Sequence, residues 1–173
     1  ENAKFAKEVI KIRIQVSFDS PIKIPIANNH ILQSYLYSKM SPETRNRVHE
    51  EGYRYGKLPF RLFNFSRLLG KYQAEKHHIC FDTFSIQISS PIESLIQEIA
   101  SSILIKSNIL AGQPVNVCSL EVIPFKKTDV IKMLSPLVIA KNVGKMTEYT
   151  SPWDENFNEL VNNNLRKKYF LVH

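Results

Sequence analysis

The chain has 173 residues, of which 43% are hydrophobic and 23% charged, with a net charge of +7 and a pI near 9.4. That length can bury a core without disulfides, the composition excludes wholesale disorder, and no apolar run approaches the ~20 residues of a membrane span. The excess of cations favours a polyanionic partner, nucleic acid or an anionic surface.

In chain order, "IKIRIQVSF" alternates Ile10, Ile12, Ile14, Val16 and Phe18 with Lys11, Arg13, Gln15 and Ser17, the pattern of a half-buried strand with one solvated or ligand-facing side. Two prolines in "SPIKIPI" break it. "NNHILQSYLYSKM" sets Ile31, Leu32, Tyr35, Leu36 and Lys39 at helical spacing, with Asn28 or Asn29 as the cap. Ser41 and Pro42 read as the N-cap and first position of a short second helix, "PETRNRVHEEG", that ends at Gly52. "FRLFNFSRLL" and "HICFDTFSIQIS" read as two strands, the second split near Asp82, joined by a hairpin connection in "GKYQAEKHH". "SPIESLIQEIASSILIKSN" is the clearest helix, capped by Ser90 with Pro91 in its first turn and striped by Ile92, Leu95, Ile96, Ile99 and Ile103. "PVNVCSLEVIPF" follows as a strand.

The resulting order is βαββαβ, an α+β, ferredoxin-like (RRM-like) unit whose antiparallel sheet carries two helices on one face and leaves the other open, a common platform for RNA. Residues 10–126 are assigned to it, with 1–9 as an upstream extension or tag. "LSPLVIAKN" can start a further strand and "PWDENFNELVNNNLRKKYFLVH" reads as an amphipathic helix, so residues 127–173 are expected to be part of a second such domain or a helical extension. Cys80 and Cys118 are far apart in strand-like segments and are read as reduced core thiols, consistent with a reducing cytoplasm.

Charge is concentrated between Arg45 and Lys71, where seven cations meet only Glu50 and Glu51. No glycine-rich phosphate loop is present, and His77 and His78, adjacent on a strand, point to opposite faces and cannot readily share an ion. His30 is read as a capping or packing residue. His49 lies among cations and aromatics that suit RNA cleavage by the RNA's own 2′-hydroxyl: a base removes the 2′ proton, an acid protonates the 5′-oxygen, and a cation stabilises the phosphorane-like transition state. Arg61 or Lys57 can hold the phosphate, Tyr37 can orient a hydroxyl or share proton transfer, and no metal or cofactor is called for. The plain alternative is a solvated histidine at a helix C-terminus. Phe60, Phe63 and Phe65 are more often core than base-stacking platforms.

The motifs "IKIRIQVSF", "IPIANNHILQSYLYSKM", "VHEEGYRYGK", "FRLFNFSRLLG" and "LSPLVI", in this order, resemble the CRISPR-associated protein six family, the repeat-processing endoribonucleases of the RAMP superfamily. The resemblance implies two tandem ferredoxin-like domains, the second only partly represented because a glycine-rich loop near its end has no counterpart. It also implies metal-independent cleavage of precursor CRISPR RNA within each repeat, giving a 2′,3′-cyclic phosphate and a 5′-hydroxyl. Carried over motif by motif, the histidine is His49, the tyrosine is Tyr37, and the basic residue before "LFNFS" is Arg61, where many relatives have lysine. An arginine keeps the charge without a readily titrating proton, which assigns Arg61 to phosphate stabilisation, with Lys57 as the fallback. Lys39, Arg45, Arg54, Lys57, Arg67 and Lys71 are expected to track the RNA backbone. The expected partner is CRISPR repeat RNA in a prokaryotic cytoplasm, with other CRISPR effector subunits or a homodimer as further associations and no membrane. Two other readings are a non-catalytic RNA-binding subunit of a CRISPR effector complex on the same fold, and a protein-interaction domain whose basic surface merely solubilises it.

Overall fold

A computed structural model describes residues 12–124, 139–143 and 146–172. The extension at 1–9, the start of the first strand at Ile10 and Lys11, most of "LSPLVIAKN" and His173 lie outside the described residues.

Strand β1 (Ile12–Phe18) is followed by β2 (Ile22–Pro25), α1 (Asn29–Ser38) and α2 (Pro42–Asn46), which continues into a π-helical turn, Arg47–Glu51. Then come β3 (Tyr53–Tyr55), β4 (Leu58–Phe60), β5 (Asn64–Phe65), β6 (Tyr72–Glu75), β7 (His78–Phe81) and β8 (Phe84–Ser90). Helix α3 (Glu93–Ile105) leads to β9 (Ile109–Leu110), β10 (Gln113–Pro114) and β11 (Val117–Ile123). A hairpin of β12 (Ile139–Val143) and β13 (Met146–Thr150) precedes α4 (Phe157–Val172). Among the described residues no helix is long and apolar enough to cross a membrane.

The central sheet has the order β11-β1-β8-β5, antiparallel throughout. Counting only its strands and the helices α1 and α3, this is βαββαβ with the ferredoxin-like order fourth, first, third, second. The alternation in β1 sends Ile14, Val16 and Phe18 inward, where they meet Ile88, Ile86 and Phe84 of β8; the Phe18 and Phe84 rings stack at 4.8 Å. Leu95, Ile96, Ile99 and Ile103 bury one stripe of α3 over these residues, and Leu32, Tyr35 and Leu36 do the same from α1. Each such fully buried aliphatic contributes roughly 2 kcal/mol relative to exposure.

Several local readings change. The first strand does end before "SPIKIPI", at Phe18, but the segment is itself a strand: Ile22 and Ile24 are buried, and it pairs with β7 in a separate sheet ordered β2-β7-β6. The connection at "GKYQAEKHH" supplies β6 of that sheet, so the split near Asp82 divides two sheets. In "FRLFNFSRLL" only Asn64 and Phe65 join β8 as a strand, with an isolated bridge from Leu69 to Ser85. Ser90 is not the helix cap; it ends β8, donates to the Leu62 carbonyl and accepts from the Ile92 N–H, and α3 begins at Glu93. Asn28 precedes α1, but its side chain turns back to the Pro25 and Ile26 carbonyls, while His30 is exposed in the first turn. Cys118 is exposed and Cys80 only half-buried, so neither is a core thiol; strand alternation gives the buried position to Phe81 instead.

The open side of β1 and β8 is polar, with Arg13, Gln15 and Ser17 beside Ser89, Gln87 and Ser85, and a hydrogen bond from Gln87 to Gln15 of 3.0 Å. Neither strand offers an aromatic ring there for stacking, and Phe63 and Phe65 beside β8 pack against the core.

Candidate functional site

The segment carrying His49 is anchored at both ends. At its start the Ser41 hydroxyl accepts from the Thr44 N–H at 3.2 Å, and Pro42 occupies the first turn, as their residue types require. Glu98 of α3 holds the same turn by accepting from the Ser41 N–H and, at 2.6 Å, from the Thr44 hydroxyl. At its end Gly52 has φ of 65°, and a Cβ there would lie 2.8 Å from that of Pro59. Glycine is therefore needed both for the turn and for the close approach of β4. Between these anchors the π turn buries Val48 and leaves His49 exposed.

Burial acts to raise the Glu98 pKa, but the hydrogen bonds from Thr44 and Ser41 outweigh it, and the carboxyl lies below the ordinary glutamate value. A depressed carboxylate adds stability above its unfolded value of about 4.3 and loses it as pH falls through the lower folded value. Glu98→Gln should cost about 1.5 kcal/mol near neutral pH. Thermal melts of the variant and the parent should converge on acidification towards the folded value; a gap that stays constant would show that the charge is not involved.

Three of the residues singled out from sequence converge. The rings of Tyr37 and His49 meet edge to face with centroids 5.1 Å apart. Arg61 donates from Nη2 to the His49 carbonyl at 3.0 Å, and the Nδ1 of His49 lies 2.6 Å from Oε1 of Glu50. Tyr37 is nearly buried in α1, and its hydroxyl accepts from Gln33 at 3.3 Å, which leaves its own proton free to donate. Phe63 closes the other side, its ring 6.2 Å from Tyr37. Lys57 sits instead in the exposed turn of the β3–β4 hairpin, and the cation bonded at His49 is Arg61.

Arg45, Arg54, Arg67 and Lys71 are exposed as a backbone-tracking role requires. Lys39 is not. It is 3% exposed, donates to the Ser107 carbonyl at 2.8 Å and lies over the Tyr35 ring, and burial, aided by the Lys106 charge, holds its ammonium below the usual lysine range. The helical stripe that includes Lys39 faces the core, so its charge is spent on a carbonyl at the end of α3 and is not presented to a ligand.

A cleft of about 940 Å³ opens between α4 and the edge of the sheet, lined among others by Arg13, Arg61, Asn64, Ser89, Arg166 and Lys168. Helix α4 reaches the β3–β4 hairpin, where Phe170 stacks on Tyr55 at 6.3 Å. Arg13, Arg166 and Lys168 escaped the sequence reading because the first sits in an alternating strand and the others lie some 100 residues beyond the charged stretch. Their one visible signal was a cation on the polar side of β1 and another pair on the polar side of an amphipathic helix.

Residues 119–173 match the family described as CRISPR associated protein Cas6, C-terminal. No curated protein matches the chain in sequence. A solved structure named CRISPR associated protein Cas6 is similar with a TM-score of 0.70 at 26% identity, covering 92% of this chain and 70% of that one. A Cas6-related protein from Pyrococcus furiosus follows at TM-score 0.67 and 22% identity, covering 94% and 71%. A RAMP protein described as binding different RNA substrates is similar in fold at TM-score 0.61 and 22% identity, covering 86% and 66%. With the ferredoxin-like sheet order, the chain is therefore similar to CRISPR-associated Cas6 proteins in fold, and over residues 119–173 also in sequence.

Proposed function

We propose that this chain binds precursor CRISPR RNA and cuts it within the repeats by attack of the RNA's own 2′-hydroxyl. The observation that carries this reading is the meeting of an imidazole, a phenol and a guanidinium at one exposed turn. In the reaction the 2′-oxygen loses its proton to a base and bonds to phosphorus. The bond from phosphorus to the 5′-oxygen breaks, and that oxygen takes a proton from an acid, leaving a 2′,3′-cyclic phosphate and a 5′-hydroxyl. His49 serves as acid or base, Tyr37 assists it, and Arg61 stabilises the charge that builds on the phosphoryl oxygens.

Arg45, Arg54, Lys57, Arg67 and Lys71 supply affinity along the backbone, and Arg13, Arg166 and Lys168 extend the positive surface from Arg61 into the cleft beside α4. In this reading residues 10–126 form the N-terminal ferredoxin-like domain and residues 127–173 are part of a second one or a C-terminal helical extension. The substrate class is supported by one similar fold described as a RAMP protein binding different RNA substrates and another described as a Cas6 product complex.

The test is cleavage of CRISPR repeat RNA in excess EDTA, with mobility shifts run in parallel at two salt concentrations. Cutting at one position to a cyclic phosphate, undiminished by the chelator, is the expected outcome, with affinity falling steeply as salt rises. RNA bound but never cut would instead favour a non-catalytic RNA-binding subunit, and negligible, salt-insensitive binding would favour a protein-interaction domain.

A further inference from the structure

We infer that Glu50 is a positioning residue for His49, holding the proton on Nδ1 so that Nε2 is the nitrogen presented to the RNA. The inference rests on the proposed cleavage and assigns a role to a carboxylate inside an otherwise basic stretch. An ionised carboxylate only accepts hydrogen bonds, so the 2.6 Å contact between Nδ1 and Oε1 places the hydrogen on Nδ1. Neutral His49 then offers a bare Nε2 to a 2′-hydroxyl, and protonated His49 offers an Nε2–H to a leaving 5′-oxygen.

The two neighbouring carboxylates divide the work. Glu51 accepts from Asn46 at 2.8 Å, within the helical segment, and Glu43 pairs with Arg47 at 2.8 Å, which leaves Glu50 alone on the imidazole. The groups facing His49 from the packed elements are Tyr37 of α1, whose ring edge meets the imidazole, and Arg61, whose bond is to the His49 backbone and not to its ring. Tyr37 therefore limits the tilt of the ring, Arg61 fixes its backbone, and Glu50 selects its tautomer. The adjacency of His49 and Glu50 would normally send the two side chains apart on an α-helix; here they meet on a π turn, whose wider geometry recurs at functional sites.

The experiment compares the parent chain with Glu50→Ala, Glu50→Gln and His49→Ala by single-turnover cleavage, RNA affinity and ¹⁵N spectra of the imidazole. Glu50→Ala should cut about tenfold more slowly at saturating RNA, with affinity unchanged within about twofold, as for a group that orients a catalytic histidine without touching substrate. Its ¹⁵N signature should lose the Nδ1–H form that dominates the parent, and Glu50→Gln, which keeps an acceptor, should fall between the two. Cleavage and tautomer unchanged in Glu50→Ala, with His49→Ala inactive, would overturn the positioning role while the proposed cleavage stands. A parent chain that binds RNA without cutting would overturn the cleavage and this role with it.

Discussion

His49→Ala is expected to lower the rate of repeat cleavage by about 10²- to 10⁴-fold, the usual contribution of a positioned general acid or base, while RNA affinity changes by no more than about twofold. The affinity should survive because the basic surface around the imidazole comes from Arg45, Arg54, Lys57, Arg61 and Arg67. The fold should also survive: the side chain is exposed, whereas Val48 beside it makes the buried contact of the π turn. Single-turnover kinetics against a mobility shift separate the two quantities. Equal cutting by parent and variant would return His49 to the role of a solvated histidine at a helix end.

Arg61→Ala should reduce cleavage by about 10²- to 10³-fold, as for removal of a group aimed at developing charge, and should also weaken binding and flatten its salt dependence by about one phosphate contact. Arg61 donates to the His49 carbonyl through one nitrogen and lines the cleft beside Arg13, Arg166 and Lys168, so its remaining donors are placed to meet a phosphate without releasing the histidine backbone. Arg61→Lys tests that division. A lysine preserves the charge and so the salt slope, but it has no planar fork to span a carbonyl and a phosphate together. Affinity should therefore recover more than rate in the lysine variant. If both recover equally, Arg61 acts only as a point charge.

The ferredoxin-like fold was legible because its signals are periodic and local. Alternation in β1 and the apolar stripe of α3 dictate which faces are buried, since a half-buried strand turns every second residue inward and an amphipathic helix every third or fourth. Ser41 and Pro42 announced a helix start because capping depends on residues within one turn. The second sheet, β2-β7-β6, was not legible: each strand is four residues long, and β2 is joined to β7 over more than 50 residues, a pairing that no local pattern encodes. The same reason hid the fate of Lys39, whose partner Ser107 is 68 residues away.

For the candidate site, the amino-acid sequence by itself determined the residue types: one histidine within a cationic and aromatic stretch, a tyrosine on the preceding helix, and an arginine past the turn. Tertiary structure decided which of these meet. Helix α1 is brought against the π turn by burying Leu32 and Leu36, and that burial sets the Tyr37 ring on His49. The β3–β4 hairpin folds back over Gly52 and delivers Arg61, not Lys57, to the His49 carbonyl. Chemistry was written in side-chain types, which sequence displays directly; selection among cations depends on ångström-scale distances, and those arise only when the whole core packs.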